Sequence, residues 1–280
     1  MSFDYPVPWS VSQNLAAKIE PLGLGAQLAQ LRDDGYCLVD DAYDAAFCQR
    51  LREAVISEAA RQNGHYFDIK EGEGLSAYHL LGRDDAFAEA LLNPKLIAIA
   101  EYLCGGDFQL SQLSGSVRFE GATAMALHID AQWVPPTDYN PMFTACLALD
   151  DLTLESGPTR VIPGTHRLMR NPEAKDVDEC GSGVPMIGKV GSFSVWPGFT
   201  WHANFPRTQP GKRVMLHMTF CRVAYRPVED YSHLDADFLS RWPAQLATML
   251  GRDSWFGIAG RDEGRCVMQN YMRTWEAARQ

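Results

Sequence analysis

His128 and Asp130 stand two residues apart, His202 lies 74 residues after His128, and Arg213 follows eleven residues after His202. On an extended strand, positions i and i+2 face one side, so the first pair can reach a single ion together. Two imidazoles and one carboxylate on one face of an octahedron form the facial triad of non-haem iron sites, with three positions left open. A 2-oxo acid can take two of these through its keto oxygen and C1 carboxylate, and dioxygen the third. The far carboxylate of 2-oxoglutarate then calls for a buried, permanently charged, bidentate partner. The planar fork of an arginine meets that need better than a lysine. A lone His-x-Asp pair is more often structural than ligating; the distal histidine and the arginine behind it favour a metal site.

The elements that must position these groups change character along the chain. Up to about residue 105 the pattern is mostly helical. Apolar spacing from Ala26 to Arg32 stops at Asp33-Asp34-Gly35, and Tyr36 to Val39 reads as a short strand. Asp44 suits the N-cap of a helix from Ala45 to about Gln62, closed by Asn63-Gly64. Glycines 72 and 74 mark a loop, and the stretch from 64 to 76 has the glycine content of a lid or of an ordinary connection. Helices are expected over Ala86 to Leu92 and Pro94 to Leu103.

After Gly106 short runs rich in β-branched and aromatic residues take over: Phe108 to Phe119, Met142 to Leu149, Thr159 to Ile162, Ser192 to Trp196 and Arg213 to Val223. Gly/Pro turns such as Ile162-Pro163-Gly164 and Trp196-Pro197-Gly198 separate them, which predicts a sandwich or barrel. Residues 234 to 250 read as helical again. The expected organisation is one domain over 1–280: a helical shell over about 20–105, a β core over about 106–225 and a C-terminal helical region over about 230–280.

With 35 acidic against 25 basic side chains the formal net charge is −10, which disfavours nucleic acid and anionic membrane surfaces as partners. Seven scattered cysteines without a Cys-x-x-Cys pair fit reduced, buried thiols better than a disulfide framework or a zinc site. No apolar run reaches the length of a membrane span, and the N-terminal residues lack the features of a signal peptide, so a soluble cytoplasmic protein is expected. Oligomeric state is not legible.

From Phe143 an aliphatic strand leads to the acidic turn Asp150-Asp151, then Ser156-Gly157-Pro158, a short strand and Pro163-Gly164-Thr165-His166. This stretch resembles the signature of the phytanoyl-CoA dioxygenase family, and the resemblance extends over about residues 30 to 225. It implies a mainly β fold, a double-stranded β-helix (jelly roll, cupin-like) with helices outside. It also implies an Fe(II)- and 2-oxoglutarate-dependent oxygenase that consumes O2, releases succinate and CO2, and most simply hydroxylates a C–H bond of a small molecule. On that likeness His128, Asp130 and His202 would bind iron and Arg213 would bind 2-oxoglutarate. His79 falls near a family lysine beside the co-substrate, and Cys146 stands where some members carry a tryptophan that helps to hold it. Halogenating relatives have a small residue in place of the aspartate, so Asp130 points to oxygen insertion or desaturation.

Other residues carry open alternatives. Thr159 is either a polar group near the co-substrate or an ordinary strand threonine. Gln112, Ser114, Ser116 and Arg118 alternate on one strand and line a pocket or meet solvent. Trp133 and Trp201 are candidate substrate walls or core aromatics. His217 is expected in core packing, and His166 as a structural tie. With no Lys/Arg cluster beside the triad beyond Arg160, Arg167 and Arg170, a compact neutral or polycyclic substrate is favoured over an acyl-CoA. Two competing readings are a cupin-like metalloenzyme that does not use 2-oxoglutarate and a catalytically silent ligand-binding barrel.

Overall fold

A computed structural model describes residues 8–63, 70–105, 108–179 and 181–252. The chain opens with α1 (Gln13–Leu22) and α2 (Gly25–Asp34), crosses β1 (Cys37–Val39) and enters the long α3 (Ala45–Gln62). Asp44 accepts the Phe47 backbone N–H at 2.8 Å, and Asn63 closes α3 in the left-handed conformation. Then come β2 (Gly74–Ala77), α4 (Asp85–Leu91) and α5 (Pro94–Cys104), the last with Asn93 as its cap and Pro94 in its first turn. The β-rich half contains β3 (Phe108–Phe119), β4 (Met142–Ala148), β5 (Thr159–Val161), α6 (Ala174–Glu179), β6 (Val184–Pro185), β7 (Phe193–Pro197), β8 (His202–Asn204) and β9 (Lys212–Arg222). Two short helices, α7 (Ala236–Ser240) and α8 (Ala244–Met249), follow.

The strands build two antiparallel sheets. The larger runs β1-β7-β4-β9-β3-β2 and the smaller β6-β5-β8. A cavity lies between them, lined by His202 and Asn204 from the small sheet and by Thr144, Trp196, His217 and Thr219 from the large one. This is the jelly-roll arrangement.

Alternation along each strand of the large sheet divides its side chains into two sets. Phe143, Ala145 and Leu147, Phe193 and Val195, and Val214, Leu216, Met218 and Phe220 join the core that the helices share. On α3, Leu51 and Val55 are fully buried there; burying each such side chain is worth about 1.5–3 kcal/mol. The opposite face carries Thr144 and Cys146, Ser194 and Trp196, and Arg213, Met215, His217 and Thr219, which point into the barrel. A bulge between Leu110 and Gln112 keeps β3 in step: Leu110 and Leu113 both reach the core, while Gln112 lines the cavity. The interior of the barrel is therefore polar and the outside of its large sheet apolar.

Three expectations change. Gly72 leads into β2, which pairs with β3 from Gly74↔Arg118 to Ala77↔Gly115, so the end of the expected loop, from Gly74 on, is an edge strand. Residues 64–69 of that stretch, with any lid role for it, lie outside the described residues, as does everything beyond 252. His128-Ile129-Asp130 is not a regular strand but a segment joined to β8 by one bridge, His128↔His202. Helix α1, absent from the expected elements, carries little sequence signal: only Leu15 and Ile19 are buried on it and Pro21 lies inside it.

Cys37, Cys48, Cys104, Cys146 and Cys221 are free and buried, as expected for reduced thiols; Cys180 and Cys266 lie outside the described residues. No helix among the described residues is long and apolar enough to cross a membrane.

Candidate metal centre and active site

Backbone pairing assembles the three candidate ligands. The N–H of His128 donates to the His202 carbonyl at 3.0 Å, the reverse bond is 2.9 Å, and Ala131 N–H donates to Gly198 C=O at 2.9 Å. The segment after His128 is thus stitched to the turn before His202 at both ends. Gly198 permits the approach: a Cβ there would lie 2.7 Å from Met142 Cγ and 3.0 Å from Ala131 Cβ.

One ligand atom from each of His128, Asp130 and His202 lies within 4.8 Å of the others. Asp130 Oδ1 is 3.4 Å from His202 Nε2 and 4.0 Å from His128 Nε2. The far nitrogens are tied back, His128 Nδ1 to the Ala126 carbonyl at 2.9 Å and His202 Nδ1 to the Thr200 carbonyl at 3.0 Å. A carbonyl only accepts, so each Nδ1 carries a proton and each neutral ring turns its Nε2 lone pair towards the shared space. Asp130 is held in the same way: its Oδ2 accepts Thr144 Oγ1 at 2.7 Å and Trp196 Nε1 at 3.0 Å, which leaves Oδ1 to face the imidazoles.

Electrostatics follow from this packing. Burial, then the neighbouring His202, pushes His128 down to about 4. Burial alone would raise the Asp130 carboxyl, but the charge and hydrogen bond of His202, with His128 and Thr144, hold it well below the carboxylate range. Burial opposes protonation of His202, and Asp130 outweighs it and raises His202. An ionised carboxylate and two imidazoles aimed at one point fit a divalent transition metal of the iron class.

Arg213 is 1% exposed, on the inward face of β9. One of its guanidinium nitrogens donates to the Gly157 carbonyl, whereas its Nε is buried without a partner. Burial, then the like charge of Arg118 opposite it in the β3–β9 register, pulls Arg213 down to about 9. A buried guanidinium with an orphaned N–H and a cationic neighbour is a place where a carboxylate would be stabilised. The residues present fit both the metal and the 2-oxo acid.

The other expected site residues divide. Thr159 and Gln112 line the cavity, Thr159 with its hydroxyl 3.3 Å from Asn204 Oδ1. Trp133 stands at the cavity wall, 65% exposed. Trp201 does not reach it. The alternation that sends His202 inward sends Trp201 outward, where it packs with Ile129 and Phe199 and donates to the Arg170 carbonyl at 2.7 Å. His79 is exposed, at a positive φ of 50°, with its backbone N–H bound to Glu229; Tyr78 and Ser76 face the cavity instead. Arg160, Arg167 and Arg170 do not line the cavity, and among the described residues its lining contains no lysine or arginine. His166 is a tie, 3.2 Å from the Arg32 carbonyl.

His217, expected in the core, lines the cavity together with Asn204 and Thr144. Parity carried the missing signal: His217 lies four residues from Arg213, Asn204 two from His202, and each pair shares a face.

Comparison with known proteins bears on the family and the fold. The family model described as "Phytanoyl-CoA dioxygenase (PhyH)" matches residues 31–215. A dioxygenase of Emericella variicolor, andF, is 28% identical over 174 residues, 58% of this chain and 59% of its own length, so the match spans less than two thirds of that relative. A dioxygenase of Aspergillus fumigatus, af480, is 24% identical over 82% of this chain and 76% of its own. Among solved structures, the non-haem α-ketoglutarate-dependent carbocyclase SnoK from nogalamycin biosynthesis has a TM-score of 0.63 at 18% identity, covering 78% of this chain and 91% of SnoK. HygX of Streptomyces hygroscopicus, solved with nickel, 2-oxoglutarate and hygromycin B, has a TM-score of 0.61 at 14% identity, covering 77% and 94%. These two show likeness of fold.

Proposed function

The chain belongs to the phytanoyl-CoA dioxygenase family, and from that premise we propose that it is an Fe(II)- and 2-oxoglutarate-dependent oxygenase whose iron is held by His128, Asp130 and His202 and whose co-substrate is anchored by Arg213. The convergence of two Nε2 lone pairs on Asp130 Oδ1, each ring locked through its other nitrogen, carries this reading. When bound, the iron supplies dioxygen activation at the expense of 2-oxoglutarate, which leaves as succinate and CO2. The protein's part is to hold its groups still and to shape the space. Thr144 and Trp196 fix the carboxylate of Asp130, so one oxygen faces the metal position. Arg213 fixes the depth at which the 2-oxo acid sits. Hydroxylation of an unactivated C–H bond of a small molecule is the reaction we propose. The lack of lysine and arginine in the lining among the described residues supports an uncharged small molecule over a phosphate-bearing acyl-CoA.

The test is anaerobic absorption spectroscopy with Fe(II) and 2-oxoglutarate on wild type and Arg213→Met. A weak visible charge-transfer band in the wild type, needing at least about tenfold more co-substrate in the variant, is the expected result. Iron binding without a band at any co-substrate concentration would favour a cupin-like enzyme that does not use 2-oxoglutarate, with Arg213 as a structural residue.

A further inference from the structure

Between the metal ligands and Arg213 lies a cluster that the reading above does not use. Cys146 Sγ is 2.9 Å from His217 Nδ1, and His217 Nε2 is 2.9 Å from Ser116 Oγ. Cys146 is 1% exposed and Ser116 8% exposed, and both Ser116 and His217 line the cavity. The three residues come from adjacent strands, with Cys146 on β4 directly opposite His217 on β9.

The place of the cluster follows from the strand register. On β9, Thr219 marks the metal end, since its hydroxyl is 3.2 Å from that of Thr144, which holds Asp130. His217 is the next inward residue, and Arg213 lies four residues, about 13 Å of strand, beyond it. Both Cys146 and His217 feel the charges of Asp130 on one side and Arg213 on the other. A molecule reaching from the metal to Arg213 must pass this cluster.

The direction of its hydrogen bonds is set by chemistry. Burial, then the charge of Asp130, keeps the Cys146 thiol protonated. Burial and the charge of Arg213 keep His217 neutral, pushed down to about 4. A neutral imidazole has one N–H, and a thiol sulfur is a weak acceptor. With the Cys146 S–H donating to Nδ1, the ring N–H sits at Nε2 and donates to Ser116 Oγ. The hydroxyl proton of Ser116 is then free to point into the cavity. The reverse direction would place the thiol proton in the interior away from the ring and turn a serine lone pair towards an anionic ligand, both unfavourable.

We propose that Cys146, His217 and Ser116 form a neutral hydrogen-bond chain that fixes the Ser116 hydroxyl as a donor to an oxygen of the 2-oxo acid bound between the metal ligands and Arg213. Ser116 is the contact; His217 and Cys146 are positioning residues acting through it. The chain supplies direction without charge, so it adds selectivity for an acceptor-only ligand, and recognition of the far carboxylate's charge stays with the buried Arg213. This rests on the function proposed above.

The experiment is an anaerobic titration of the Fe(II) protein with 2-oxoglutarate, followed by the charge-transfer band, for wild type, Ser116→Ala, His217→Leu and His217→Gln, with Fe(II) affinity measured separately. Ser116→Ala and His217→Leu are expected to raise the 2-oxoglutarate Kd about tenfold. His217→Gln, which keeps an N–H for Ser116, should recover most of the loss, and Fe(II) affinity should not change. A wild-type Kd in both Ser116→Ala and His217→Leu would overturn the chain and leave the oxygenase reading intact. A matching fall in Fe(II) affinity would also overturn it, by making the cluster a support of the metal site. Absence of the band in the wild type would overturn the reading beneath it. If His217→Leu does not fold, Ser116→Ala decides alone, since it removes one hydroxyl.

Discussion

Thr144→Val keeps the shape of a buried side chain and deletes one hydrogen bond to the candidate metal carboxylate. In the wild type Asp130 Oδ2 accepts from Thr144 Oγ1 at 2.7 Å and from Trp196 Nε1 at 3.0 Å. Together these two donors decide which oxygen faces the imidazoles. Losing an outer hydrogen bond to a metal ligand costs about 10- to 100-fold in affinity, or about 1.4 to 2.7 kcal/mol. Thr144→Val and Trp196→Phe should each weaken Fe(II) binding about tenfold. The double variant should lose less than the sum of the two, because both donors serve one oxygen. Anaerobic competition against a chromophoric chelator measures this, with far-UV circular dichroism as the check on folding. A folded double variant that binds Fe(II) like the wild type would refute the idea that this oxygen is held for the metal's sake.

Three further outcomes can be measured. Gly115 faces α3, and a Cβ there would lie 2.6 Å from Val55 Cγ1, so Gly115→Ala should destabilise by about 1–3 kcal/mol in denaturant melts; adding Val55→Ala should return part of that. Glu229 is buried and accepts the N–H groups of His79 and Leu113 and the Tyr231 hydroxyl. Glu229→Ala orphans three donors and should cost about 3 kcal/mol or more in the same melts, and a loss under 1 kcal/mol would contradict this. His217 is pushed down to about 4 by burial, then Arg213. A histidine whose folded value lies below its unfolded value of about 6.5 stabilises fully above that pH and loses its contribution as pH falls towards 4, by up to about 3 kcal/mol. The stability difference between wild type and His217→Gln should therefore shrink between pH 7 and pH 4, and a constant difference would speak against a neutral buried ring.

Local signals carried much of the architecture. Asp44 and Asn63 cap α3, and Pro94 suits the first turn of α5, so both helices are bounded within a residue. The long strands β3, β4 and β9 were legible because β-branched and aromatic residues persist over many positions. Short strands were not: three residues at β8 cannot display a period, and β2 begins at a glycine that reads as loop. Of the candidate ligands, the residue types and order were readable, but the bridge that brings His128 beside His202 depends on pairing across 74 residues of chain. Alternation groups residues by face without saying which face is interior. That is why alternation alone leaves Trp201 open between substrate wall and core, where it packs, and leaves His217 open between pocket and core, with core packing the favoured reading although it lines the cavity. His79 failed for a different reason: one residue of register separates it from Tyr78, and a strand end at Ala77 with a left-handed backbone at His79 turns the ring to solvent.

The pairing order of the large sheet also bears on how the chain is made. β9 is the seam, since β3 and β4 lie on either side of it and do not pair with each other. β3 must wait for a partner about a hundred residues downstream, a topology in which closure is slow and late. A nascent or truncated chain ending before Lys212 would already hold His128, Asp130 and His202, yet β3 and β4 would each present an open edge beside an uncovered apolar face. Such a chain should aggregate rather than bind metal, so the last strand of the sheet governs whether the earlier ligands ever become a site.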